Sequence, residues 1–222
     1  MGAPASGSSM KGPIFFAALV SLGLTLLRLY GELHGWSPLL FSRDAGGRFA
    51  LVGIAWLVPL LGIWFALRLQ EQGRTPARSG RALLLSFVGL VLLAAPGPIV
   101  GDPDSSIPPS GKIALLNGSV LVGAALAFVG WKELGRSLVA FGYLSRLPVV
   151  VVMYVAMQKN WGTHFEKGMP GLPEMEFFLK WLVIAVLLQF VTWICYTVIV
   201  GSLFGALTAV LHRKKEPAAA TA

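Results

Sequence analysis

Arg146 stands two residues before Pro148 inside an apolar stretch that runs from Leu138 to Gln158. A guanidinium at that depth in hydrocarbon is costly and needs a carboxylate, carbonyl or water partner, so an intramembrane arginine points to an ion or substrate site. Pro148 has no N–H to give, which frees the carbonyl of Leu144 as one such partner. With Pro59 and Asn117 in other apolar stretches, these residues outline a central site suited to an anionic group. A second placement fits the same residues: 131–145 as a cytoplasmic interfacial helix, Pro148 in the first turn of a shorter crossing helix, and Arg146 facing lipid phosphates.

A second set of reactive side chains lies at the other end of the apolar stretches. Glu32 and His34 close the first, His164 and Glu166 follow the fifth, and Asp102 and Asp104 follow the third. Imidazoles and carboxylates converging from separate loops would bind a divalent metal or supply acid–base groups. Paired haem ligation by His34 and His164 is the remoter expectation. None of these residues has the close spacing of a structural metal site, so no cofactor is expected and a solvated acidic rim is the competing reading. The phosphate-cradling Gly-x-x-x-x-Gly-Lys-Ser/Thr loop, the Gly-x-Ser-x-Gly elbow and the Gly-x-Gly-x-x-Gly turn do not occur.

These residues would be positioned by six apolar stretches, roughly 13–30, 49–69, 82–100, 113–131, 138–158 and 181–211. Each is near or above the ~20 residues that a helix needs to cross the hydrocarbon core. Hydrophobic residues make up 55% of the 222-residue chain and charged residues 13%, about half the soluble norm, and mean hydropathy is +0.73. A polytopic, all-α transmembrane bundle follows. The expected organisation is a disordered tail over 1–12, a six-helix domain over 13–212, and a basic then disordered tail over 213–222. Lys11 before the first stretch resembles a signal-peptide start, but no small-x-small cleavage pattern precedes Arg28, which favours a retained anchor. Gly2 and Ser6 fit the loose myristoylation pattern, as small-residue tails often do.

Charge assigns the sides, because cytoplasmic loops retain lysine and arginine. One side holds Lys11, Arg68, Arg74, Arg78, Arg81, Lys132, Arg136, Arg213, Lys214 and Lys215 against Glu71, Glu133 and Glu216. The other holds Arg43, Arg48, Lys112, Lys159, Lys167 and Lys180 against Glu32, Asp44, Asp102, Asp104, Glu166, Glu174 and Glu176. Both termini are therefore expected in the cytoplasm, with the chain in a bacterial-type inner membrane. The net charge of +8 is then a topology signal and a contact for membrane lipids, not a nucleic-acid footprint. Trp36, Trp131, Trp161 and Trp181 fall at stretch ends, where indoles settle at the lipid boundary. The single Cys195 excludes an intramolecular disulfide.

Two further patterns bear on function. Aligned on their prolines, the second and fifth stretches match Pro59 to Pro148, Gly53 to Gly142 and Phe65 to Tyr154, the mark of a weak 3+3 inverted repeat around a midplane site. Gly201 and Gly205 form a small-xxx-small contact face, while Gly118, Gly123, Ala124 and Ala127 would make a seam open to another polypeptide. The leading expectation is a small permease or channel-like transporter with a site at Arg146. The alternatives are an accessory subunit of a larger membrane complex, or a homo-oligomer, and a membrane enzyme or metal protein using Glu32, His34, His164 and Glu166.

Overall fold

The computed structural model describes residues 9–44, 52–102, 104–167 and 175–212. Gly2, Ser6, Arg48, Phe49, Glu174 and the basic Arg213, Lys214 and Lys215 lie outside the described residues, as do most of both predicted tails. All regular structure among the described residues is helical. Helix α1 covers Lys11–Leu33, α2 Leu57–Glu71, α3 Ser79–Ala94, α4 Gly97–Gly101, α5 Pro109–Gly130 and α6 Lys132–Lys159. A 3-10 turn at His164–Glu166 is followed by α7 at Phe177–Trp181, a π-helical segment at Leu182–Thr192 and α8 at Trp193–Leu211.

Five helical stretches are long and apolar enough to cross a membrane: Lys11–Leu33, Ser79–Gly101, Ser110–Gly130, Lys132–Lys159 and Phe177–Leu211. Phe15, Phe16, Leu84, Phe87 and Val151 are each more than half exposed on the outside of the bundle, a surface that lipid would cover. The second predicted stretch contributes the 15-residue α2, about 22 Å of helix against a ~30 Å core. Pro59 occupies its first turn, where the missing N–H costs nothing. It therefore starts a helix, whereas Pro148 lies inside the continuous 28-residue α6. That continuity also means residues 131–145 do not form a separate interfacial helix.

The centre of the bundle is α8, which packs against α2, α3, α5 and α6. Phe65, Leu69, Leu134, Leu138, Phe141 and Ile199 are fully buried in the core around it. Close approach is set by small residues. A Cβ at Gly205 would stand 3.0 Å from the carbonyl oxygen of Gly62, and one at Gly89 would stand 2.7 Å from that of Gly123. The proposed seam on α5 is thus largely filled from within the chain: Gly123 meets α3, Ala127 is fully buried and Ala124 packs on the core, while Gly118 alone faces open space. Trp131 likewise departs from the interfacial reading. It is 3% exposed, and its Nε1 donates to the carbonyl of Arg74 at 3.1 Å, tying the α5–α6 junction to the α2–α3 connection. Gln72 reaches Met10 Sδ at 3.6 Å, which brings the start of α1 to the same end.

Gly123→Val should lower stability by about 1–3 kcal/mol by forcing α3 and α5 apart, whereas Gly118→Val should leave it unchanged. Thermal unfolding in detergent compares the two; equal effects would count against the interhelical contact.

Candidate functional site

Arg28 and Glu32 are one turn apart on α1, on the face turned to the bundle, and both are buried. Arg28 Nε donates to Glu32 Oε1 at 2.8 Å and its Nη2 to the carbonyl of Ser42 at 3.1 Å. Arg43 closes the same loop from outside, donating through Nε to the Glu32 carbonyl at 2.8 Å and through Nη2 to the same oxygen. Gly53 lies close against this arrangement, since a Cβ there would come 3.1 Å from Arg28 Nη1.

The second loop arrives from α6. Asn160 ends that helix in the left-handed region at φ 51°, a conformation asparagine tolerates, and the chain turns back over the bundle. Thr163 and Glu166 form a reciprocal capping box that shapes the short turn between them. His164 is thereby presented to Glu32: its N–H donates to Oε2 at 2.9 Å, and Nδ1 lies 2.5 Å from Oε1. The wholly buried Glu32 side chain accepts donors from its own helix and from a residue 132 positions away in sequence.

Burial holds the His164 imidazole below the ordinary histidine value, and the nearby charges of Arg28 and Lys167 act in the same direction. The hydrogen bond to Glu32 and its charge oppose this, and burial is the larger effect. Neutral His164 then donates its Nδ1 proton to Glu32, leaving Nε2 as a free base.

Arg146 projects from the middle of α6 and is 5% exposed. Nη1 donates to Gln189 Oε1 at 3.2 Å, and Cζ lies 4.4 Å from the centroid of the Trp193 ring. Nε is buried without a partner, and no carboxylate pairs with this guanidinium among the described residues. Its contacts come from the π-helical segment and the start of α8. The Trp193 N–H reaches back to the Leu188 carbonyl, and this wider winding sets Ile184, Leu188 and Gln189 at the α6 face.

Between α1, α6 and the π-helical segment lies a cavity of about 310 Å³. Arg28, Arg146, His164 and Lys167 all line it, so basic side chains are its chief polar feature. Of the four residues expected at a central site, Arg146 alone lines this cavity. Asn117 accepts from Thr192 Oγ1 at 3.1 Å and borders a separate space of about 30 Å³. Pro59 and Pro148 belong to neither lining. The outer group also divides: Glu32 and His164 pair, His34 bonds the Tyr30 carbonyl at 2.9 Å and stacks on that ring, and Glu166 caps Thr163. Two metal-ligating side chains thus meet, with the Glu32 oxygens already taken by Arg28 and His164 donors. Lys167 enters the site without having been singled out in sequence, while Arg28 and Gln189, polar residues inside the predicted spans, enter it without having been given a role there. The i,i+4 spacing of Arg28 and Glu32 was the available signal.

No known family model matches the chain, and neither a curated protein nor a solved structure shows significant similarity to it.

Glu32→Gln removes the counter-charge of a buried arginine and should cost about 3–5 kcal/mol of stability. Arg28→Met combined with Glu32→Gln should recover part of that loss; a fully additive double variant would argue against the pairing. The neutral state of His164 also sets a pH dependence. The unfolded chain binds the extra proton more readily than the folded one, so this contribution is lost as pH falls below about 6.5. Melting curves between pH 7.5 and 5.5, taken as about one unit either side of the histidine value, should slope less in His164→Asn than in the parent.

Proposed function

We propose that the chain is a small permease or channel-like protein that takes an anionic solute at Arg146. The observation that carries this reading is the buried Arg146 guanidinium, which faces a cavity, keeps Nε unpartnered and has no carboxylate beside it. A buried charge without compensation is expensive, and such groups in membrane helices mark ion and substrate paths. Arg28 differs because Glu32 neutralises it. The cavity therefore presents one uncompensated cation in its interior and Lys167 toward its exposed rim.

In this reading α2 completes six spans, both termini lie in the cytoplasm, and the host is a cytoplasmic inner membrane. Support comes from the hydrogen bonds that gather Met10, Gln72, Arg74 and Trp131 at one end of the bundle, together with the arginines of the α2–α3 connection. The opposite end carries the Glu32–His164 contact. Pro59 and Pro148 play different roles in their helices, so the inverted repeat adds no support.

A second reading is favoured by one observation of its own. Glu32 holds the His164 imidazole through Nδ1 in the lining of the cavity, the arrangement of an acid–base pair in a membrane enzyme.

Arg146→Leu should remain folded, because it removes a buried charge and adds an apolar side chain, while flux is abolished. The measurement is uptake of radiolabelled acetate, lactate, chloride and phosphate into proteoliposomes. Flux of at least one anion that disappears in Arg146→Leu supports the transporter. Folded parent protein with no flux of any of them, or flux unchanged in the variant, sinks the assignment.

A further inference from the structure

Three properties of the Arg146 cavity narrow what it takes, given the reading of that cavity as an anion site. The first is size. At about 30 Å³ for each water-sized group, a 310 Å³ space holds roughly ten non-hydrogen atoms. That is small for an organic ligand site and far larger than a bare halide needs.

The second is hydrogen-bonding geometry. Nη1 of Arg146 is engaged by Gln189, and Trp193 lies against the guanidinium. Nη2 makes no hydrogen bond among the described residues and is the nitrogen left to meet a ligand, whereas Nε is unpartnered but has no accessible surface. A charged N–H face of this kind takes an oxygen of a carboxylate.

The third is the lining. Leu24, Ile54, Val149, Met153, Ile184 and Leu188 surround the space with aliphatic and thioether surface. A second negative charge would meet only Lys167, at the exposed rim, since Arg28 is paired with Glu32. Burial also favours neutral His164.

We infer that this cavity binds a small organic monocarboxylate, its carboxylate on Nη2 of Arg146 and its apolar body against Val149, Met153, Ile184 and Leu188. The apolar contact gives such an acid its advantage over inorganic anions, and the ion pair gives it an advantage over neutral molecules of the same shape.

The test is calorimetric titration of the full chain in a neutral maltoside detergent with benzoate, acetate, benzyl alcohol, phosphate, chloride and laurate. Saturable benzoate binding is expected, with benzyl alcohol and phosphate each weaker by about tenfold or more, the fold-change of one charge-assisted bond. Arg146→Leu should abolish benzoate binding. Val149→Phe keeps the arginine and narrows the apolar part, so it should weaken benzoate more than acetate and provides a check independent of Arg146. Phosphate or chloride binding as tightly as benzoate, and lost in Arg146→Leu, would overturn the organic-acid class while leaving the anion site standing. Laurate binding without benzoate would assign the carboxylate to a lipid and overturn the small ligand. Absence of any anion binding, or binding unaffected by Arg146→Leu, would remove both this inference and the anion site beneath it.

Discussion

One buried carboxylate holds one end of this bundle together. Glu32 sits at the last turn of α1 with its side chain removed from solvent, where an unpaired charge would be strongly unfavourable. It is satisfied from three directions: the Arg28 guanidinium of its own helix, the His164 ring and the His164 main-chain N–H. The last two exist only because the chain after α6 turns back across the bundle. Satisfying Glu32 and covering the cavity are therefore a single structural event. Arg28 and Arg43 fasten the start of the connection after α1 to the same place, so it and the turn after α6 converge on one residue.

Arg146 shows the opposite electrostatic arrangement within the same cavity. It is as buried as Arg28, yet its neighbours are an amide oxygen, an indole ring and apolar side chains. Dispersion and the ring quadrupole stabilise a cation in that position only partly compared with a carboxylate. The contrast between a neutralised arginine and an exposed charge inside one space gives the cavity polarity along its length. A solute that supplied the missing negative charge would complete the site.

The scaffold around this cavity is built differently from the cavity itself. Where α2 meets α8 and α3 meets α5, glycines bring backbones together and leave no room for side chains. Beside Arg146 the last long helix widens into π winding. Tight contacts in one half and a widened helix beside the cavity in the other accompany the opening in the interior of the bundle.

Composition and charge made the helical, membrane-embedded class legible, because hydrocarbon-length apolar runs admit few other solutions. Arg146 was also legible, since a charge inside such a run stands out against its surroundings. Its partners were not: Gln189 and Trp193 are 43 and more residues away, and nothing local distinguishes them from polar or aromatic residues elsewhere in the helices. Pro59 and Pro148 look equivalent in sequence, yet one begins a helix and the other lies inside a continuous one, a difference fixed by where each helix starts. Among Glu32, His34, His164 and Glu166 the sequence offered four similar choices. The tertiary structure joined Glu32 to His164 and left the others to Tyr30 and Thr163. Hydropathy is a property of each segment and survives without the fold, whereas pairing across the bundle depends on how helices pack and where their connections return, and only the folded chain decides that.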